Sequence, residues 1–504
     1  MSSAPLIAEK ATRPAPAHLL RRVFSFPAFL AAVLAVLAVL AVRGRFDDPD
    51  MWWHLRMGEV ILATHSIPTT DLFSYTANHH AIVPQEWLSE ALIYGAYKLG
   101  GYSGLMLWLC FFTAALFVTG YALCSIYSGN SKIAFLGAMI VWLFSTVGLA
   151  VRPQVLGYLL LVFELILLHL GRKRSPRWFF ALPILFAVWV NCHGSFFLGL
   201  AVLGVVAVCS FFSFEAGSLV CERWDAGDRK KYLLTAALSA GAVFLNPVGA
   251  KQVLYPVNTM LRQPVNLSHV VEWQPLAVSD PRGAALLGIL ALVFLILMVR
   301  RIEVLYLHEA VLLAMGAWFA LSHQRLAFVF GILAAPIVSR LLATFWDGYD
   351  AEKDLPVANA VLIAVAALVI FLAFPSRKAL AKQVEAGSPV KAVEYIKTHQ
   401  LPGNMLNAYG YGGYMVWALP EHPDFVDGRA DLFEWAGVLP EFGQWAMLQA
   451  DPNTLLDKYH VEFCVIEHNS PMSRVMTLLP NWKQVYSDDA SVIFVRTTAE
   501  NSSQ

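Results

Sequence analysis

The sequence predicts an α-helical polytopic membrane protein of about 11 transmembrane helices, followed by a C-terminal extracytoplasmic α/β domain. Three observations carry that prediction. Of the 504 residues, 58% are hydrophobic and 14% are charged, whereas a soluble globular domain carries about 25% charged residues. Apolar runs near spanning length recur from residue 24 to residue 375. Beyond 375 no such run occurs, and short helical and strand-like patterns take over.

A spanning helix needs roughly 17–25 apolar residues. The candidates lie at 24–42, 104–126, 132–150, 153–171, 177–191, 194–213, 232–246, 284–300, 304–321, 325–343 and 356–375. The runs at 177–191 and 232–246 are the weakest, short enough to be kinked or half-buried. Residues 1–23 form an N-terminal tail. The first apolar run is too long for a cleavable signal and lacks a small-residue cleavage site, so it reads as a retained anchor. Residues 43–103 form a large loop. Within it, Ile67-Pro68-Thr69-Thr70-Asp71 is a turn signal, and Glu86–Leu99 is an amphipathic segment too short and polar to span. In residues 376–504, Asp424–Val426, Glu462–Glu467 and Ser491–Arg496 read as strands. Pro389–Thr398 and Ala436–Leu448 read as helices.

Lys and Arg in the loops set the orientation. With the N-terminus cytoplasmic, the inner segments hold 17 of these cations and the outer segments 9, leaving out the C-terminal domain. Long domains translocate regardless of charge. An odd number of spans then places residues 376–504 outside the inner (plasma) membrane. On this topology the unusual polar residues near helix ends all face outward: Asp48, Asp50, Arg152, Asn191, His193, Asn246, Glu272, His323 and Arg325.

Other classes of function are excluded. A net charge of zero argues against a nucleic-acid partner, which needs a basic face. The six cysteines show no CxxC or regular spacing, so neither a disulfide framework nor a zinc site is expected. Tyr409-Gly410-Tyr411-Gly412-Gly413-Tyr414 lacks the spacing of a dinucleotide-binding glycine loop. Asp427-Gly428-Arg429-Ala430-Asp431 reads as an ordinary turn, with a contact to the membrane domain or to an acceptor as the alternative.

The densest chemistry lies in RFDDPDMWWHL, residues 45–55, directly after the first apolar run. Carboxylates this close to hydrocarbon are costly unless water, a metal or a partner compensates them. Asp50 suits a general base for an acceptor hydroxyl. Asp48 and Asp50 also suit a divalent cation such as Mg or Mn held against a phosphate. The alternative is a solvated helix-end loop. Trp52 and Trp53 are interface anchors that would pin Asp50, with His54, at headgroup depth. Arg152 and Arg325 suit bidentate phosphate contact, with snorkelling to the interface as the alternative. His54, Asn191, His193, Glu272 and His323 have the chemistry to orient a substrate, while helix capping and an interfacial histidine account equally well for Asn191 and His193.

The strings DPDMWWHLRMGEVI, IPTTDLFSYT and QEWLSEALIY resemble the GT-C superfamily of integral-membrane glycosyltransferases, in a bacterial branch of that superfamily. The pieces RP (152–153), NCHG (191–194), NP (246–247), EW (272–273), HQR (323–325) and GYGGY…DGR (410–429) are similar to the same branch. The resemblance covers most of the chain. It implies a polyprenyl-phosphate-linked sugar donor among the membrane lipids and transfer on the extracytoplasmic side. It also implies that a first-loop aspartate acts as base or metal ligand. The resemblance places that role on Asp50, with Asp48 second; the chain departs from the family's usual DD, DE or ExD spacing in that a proline separates the two carboxylates. The competing functions are a transporter or flippase for a lipid-linked or small solute, and a non-catalytic membrane scaffold.

Overall fold

The computed structural model describes Arg21 and residues 23–497 apart from Arg301. The expected tail, 1–23, and the orienting cations Lys10, Arg13, Arg22 and Arg301 therefore lie, Arg21 and Val23 aside, outside the described residues. The first part of the chain holds α1 (Phe26–Val42), α2 (Met51–Thr64), α3 (Trp87–Ser128), α4 (Ser131–Ser145), α5 (Gln154–Lys173), α6 (Leu182–Cys192) and α7 (Phe196–Cys209). There follow α8 (Ala226–Ala242), α9 (Ala250–Arg262), α10 (Pro264–His269), α11 (Pro281–Val299), α12 (Leu307–Ser322), α13 (Ala327–Leu342) and α14 (Pro356–Ala373).

Among the described residues, six helices are long and apolar enough to cross a membrane, and four shorter apolar ones accompany them. The chain is a multi-pass membrane protein. The helix α13 is its centre: 83% of its apolar window is buried, against 22% for α11 and 11% for α14. Those two present apolar side chains outward, which only lipid accommodates without cost.

The segment 232–246 departs from expectation. It falls in α8, whose first turns are Asp228, Arg229, Lys230 and Lys231, so too short an apolar stretch remains for a span. The segment 177–191 is built in two pieces, a 3-10 turn over Pro176–Ala181 and then α6. The amphipathic segment Glu86–Leu99 and the span 104–126 are two helices that meet at a kink at Gly101 within α3. Gly101 has φ 57°, a left-handed conformation that only glycine adopts cheaply. The break redirects the chain from the surface into the membrane.

After α14 the chain forms α15 (Arg377–Gly387), α16 (Val390–His399), α17 (Gly412–Ala418), α18 (Ala430–Trp435), α19 (Val438–Ala446), α20 (Pro452–Lys458) and α21 (Pro471–Met476). A small sheet earlier in the chain pairs β1 (Phe214–Ala216), β2 (Leu219–Cys221) and β3 (Leu305–Tyr306). The C-terminal sheet joins β4 (Asn404–Asn407), β5 (Val461–Glu467), β7 (Ser491–Arg496) and β6 (Trp482–Ser487), in that order. β4 runs parallel to β5, and the other pairs are antiparallel. Asp424–Val426 is not a strand; Asp424 makes one isolated bridge, to Ser74.

Side-chain alternation along this sheet divides its burial between two cores. Met405, Phe463, Val465 and Ile493 join the main core, which also contains Trp52. Leu406, Cys464, Ile466 and Phe494 face the opposite way, against Phe433, Phe442 and Leu456. The sheet is thus sandwiched, and one of its layers is continuous with the base of the first loop.

Candidate active site

Pro49 cannot continue a helix from Asp48, so the chain turns between α1 and α2. The turn is closed by the Asp50 N–H donating to Asp48 Oδ1 at 2.9 Å. Asp50 is the residue before α2, yet its side chain caps no backbone N–H. Its carboxylate meets Arg152 instead, at 3.1 Å from Nη1.

Arg152 precedes Pro153 and α5, and three carboxylates converge on it. Nε donates to both oxygens of Asp48 at 2.8 Å. Nη1 reaches Glu272 Oε1 at 3.2 Å. The second Glu272 oxygen lies 3.2 Å from Arg325 Nη1, and the Arg325 guanidinium lies over the Trp273 ring at 5.2 Å. The remaining N–H groups of Arg325 meet no acceptor among the described residues. The first loop, the start of α5, the 247–283 loop and the α12–α13 turn are therefore tied by one charge chain.

That chain sets the titration of its members. Burial pushes Asp50 up to about 6, against the pull of Arg152. Burial would also raise Glu272, but Arg325 and Arg152 outweigh it and hold it below the ordinary carboxylate range.

A second cluster lies alongside. His54 Nδ1 is 3.1 Å from Glu90 Oε1, and its Nε2 is 3.9 Å from Glu86 Oε2. His193 Nε2 is 3.5 Å from Glu86 Oε1. Because His193 Nδ1 accepts from the Ser195 N–H at 3.1 Å, the proton of the neutral ring sits on Nε2, towards Glu86. Burial keeps both imidazoles neutral, His193 down to about 3, and pushes Glu86 up to about 7.

The two clusters differ in what they can hold. His54, Glu86 and Glu90 each offer one ligand atom within 4.8 Å of the others, a donor set compatible with a divalent cation. Between Asp48 and Asp50, the expected ligands, lies the Arg152 guanidinium.

Both clusters line one cavity of about 350 Å³, together with Tyr255, Tyr409 and Asp431. A smaller apolar pocket of about 110 Å³ adjoins it between Phe197, Pro256, Met260 and Phe328, sharing Glu86, His193 and Arg325. Asp50, His54, Arg152, His193, Glu272 and Arg325 thus line one wall-to-wall space. Asp48 stands behind Arg152. Asn191 and His323 stand outside the cavity lining. The Asn191 amide is used up by the Trp87 indole and by the carbonyls of Ala187 and Leu245, at 2.7, 2.8 and 2.8 Å. His323 Nδ1 is 2.7 Å from the Trp273 carbonyl and so positions that loop.

The C-terminal part closes the cavity through the segment for which the sequence left contact with the membrane domain as the alternative reading. Arg429 is not in an ordinary turn: it is 6% exposed and pairs with both Asp427 and Asp71. Asp71 is held in turn by the Ser74 N–H and hydroxyl, at 3.0 and 2.7 Å. The Tyr255 hydroxyl donates to Asp431, and Glu434 accepts from the backbone N–H groups of Val265 and Asn266 at 3.0 and 2.6 Å. The glycines of this part are sites of contact. A Cβ on Gly413 would strike the Pro49 carbonyl, and one on Gly428 would strike Asp50 Oδ1. The signal available in the sequence was the DGR triplet, opposite charges either side of a glycine.

Multi-pass helices, an acidic first loop beside an amphipathic helix, and a sheet-containing C-terminal part over the cavity make up the architecture that the comparisons with solved structures test. No family model and no curated protein matches the chain by sequence. Solved structures match by shape. ArnT from Cupriavidus metallidurans in its apo state superposes with a TM-score of 0.54 at 14% identity, over 93% of this chain and 97% of that one. ArnT bound to undecaprenyl phosphate gives 0.51 at 13% identity, over 95% and 99%. The Archaeoglobus fulgidus oligosaccharyltransferase tethered to an acceptor peptide gives 0.52 at 12% identity, over 95% and 75%.

Proposed function

We propose that the chain is a glycosyltransferase that moves a sugar from a polyprenyl-phosphate-linked donor to an acceptor hydroxyl at the outer face of the membrane. Asp50 carries the reading. A carboxylate lifted to about 6 is ionised at neutral pH and still basic enough to take a proton. It lines a cavity that also holds Arg325, whose guanidinium has N–H groups to offer a phosphate. The adjoining apolar pocket suits the first isoprene units of a lipid tail. The fold shared with ArnT, described with undecaprenyl phosphate, supports a lipid-phosphate donor.

In the reaction, the acceptor oxygen attacks the anomeric carbon and the carbon–phosphate oxygen bond breaks, inverting the centre. The acceptor proton passes to Asp50. Polyprenyl phosphate leaves with its charge against Arg325, where developing negative charge makes a preorganised cation valuable. His193, His54 and Glu272 orient donor and acceptor hydroxyls. Asp48 acts through Arg152. A divalent cation held by His54, Glu86 and Glu90 would add positive charge beside the cavity. On this reading residues 24–375 form the catalytic membrane domain, with the N-terminus cytoplasmic, and residues 376–504 form an extracytoplasmic domain over the site.

The test is Asp50→Asn in proteoliposomes supplied with labelled polyprenyl-phosphate sugars. The variant should insert, fold and transfer no sugar. Unchanged transfer would sink the assignment of Asp50, and solute flux with no transferred sugar in the native chain would sink the enzyme reading.

A further inference from the structure

The geometry points to Arg152 as a built-in cation: Asp48, Asp50 and Glu272 form a three-carboxylate cup that takes up a divalent ion only when the guanidinium is removed. This inference stands on the contacts of one side chain and does not depend on which sugar or donor the site uses.

Asp48 and Asp50 come from one short turn and Glu272 from a remote loop, and the three meet at a single point. Asp48 gives both oxygens to Nε at 2.8 Å, Asp50 gives one to Nη1 at 3.1 Å, and Glu272 gives one to the same Nη1 at 3.2 Å. Clustered carboxylate oxygens are the donors that Mg²⁺ and Mn²⁺ use. Here the planar guanidinium fills the place of the ion, its side chain only 12% exposed. Arg325 Nη1 already lies 3.2 Å from the other Glu272 oxygen, so an added ion would meet the repulsion of two guanidiniums at short range. The arginine differs from an ion in two ways. It keeps its charge at every working pH and cannot dissociate. The cup is also fixed without any ion, since Asp48 accepts the Asp50 N–H at 2.9 Å. Arg152 is therefore a positioning residue. It holds Oδ2 of Asp50, while Oδ1 lies against Gly428.

The experiment counts Mn²⁺ bound to the purified full-length protein by electron paramagnetic resonance at low ionic strength. Mn²⁺ bound at the His54–Glu86–Glu90 cluster contributes equally to every variant, so the differences report on the cup. Native protein and Asp48→Asn should bind the same number of ions. Arg152→Gln should bind one more, the Asp48→Asn/Arg152→Gln double variant should lose that extra ion, and Arg152→Lys should return to the native count. A lower count in Asp48→Asn than in native protein would overturn the proposal, as would an Arg152→Gln count no higher than native. If Arg152→Gln does not fold, the comparison of native protein with Asp48→Asn decides alone.

Discussion

Gly428 lies against the carboxylate of Asp50 so closely that Oδ1 occupies the place of any Cβ at position 428. The two residues stand at opposite ends of the sequence and at one point of the cavity. Gly428→Ala needs no unusual backbone angle, so its strain falls on Asp50. Transfer should drop by at least tenfold, about 1.4 kcal/mol in the barrier, with little change in thermal unfolding. An Ala variant with native activity would show that Asp50 is not held by this contact.

The pH dependence follows from the same carboxylate. Burial raises Asp50 to about 6, and a base works only when deprotonated. The rate at limiting substrate should therefore rise with pH and level off above an apparent pKa near 6. Arg152 pulls Asp50 down, so Arg152→Gln should move the rising limb to higher pH. A limb near the ordinary aspartate value would contradict the burial argument.

Stability should move the other way. A carboxyl whose folded pKa lies above its unfolded value favours the fold at pH below about 4, and that advantage is lost as pH rises through about 6. Asp50→Asn escapes the loss. Its unfolding temperature in detergent should exceed that of the native chain at pH 8, with the gap closing towards pH 4. Equal curves at both ends would refute the shift.

Arg429 is the pin of the C-terminal cover. Removing one partner of a buried pair leaves uncompensated charge and costs about 3–5 kcal/mol. Arg429→Met strands Asp427 and Asp71 and should lower the unfolding temperature sharply. Adding Asp71→Asn and Asp427→Asn should recover much of the loss. No recovery in the triple variant would mean that the packing of Arg429 between Phe73 and Phe433, not its charge, is what the fold uses.

Arg325 is proposed to meet the donor phosphate. Arg325→Gln should raise the donor KM by about tenfold or more, as expected for loss of a charge-assisted contact of about 1.5–3 kcal/mol. The acceptor KM should hold. An equal rise in both would point to a collapsed Glu272–Trp273 loop.

Much of this site was legible before any coordinates. Asp50, Arg152, His193, Glu272 and Arg325 stand out because each is an ionisable group at the end of an apolar run, where solvation is scarce. Asn191 and His323 stand out by the same logic but serve the scaffold. A polar group at a helix end satisfies neighbouring backbone as readily as it faces a ligand, and the linear pattern cannot tell the two apart. Glu86 and Glu90 were hidden for a related reason. On an amphipathic helix a glutamate looks like solvated surface, and only the helix's rotation shows that it faces His54.

What the sequence determines by itself is the environment of each segment. Apolar run length marks which stretches can enter hydrocarbon, because transfer free energy adds up along a chain, but the run 232–246 falls in a helix whose first turns are charged. It does not determine which charge neutralises which. Arg152 has the chemistry for a phosphate and is instead spent on Asp48, Asp50 and Glu272. Arg429 finds Asp71 across 358 residues and builds the cover over the cavity. Ion pairing falls off over a few ångströms, and such distances between remote segments are set by how the helices and the C-terminal sheet pack. That decision belongs to the tertiary structure.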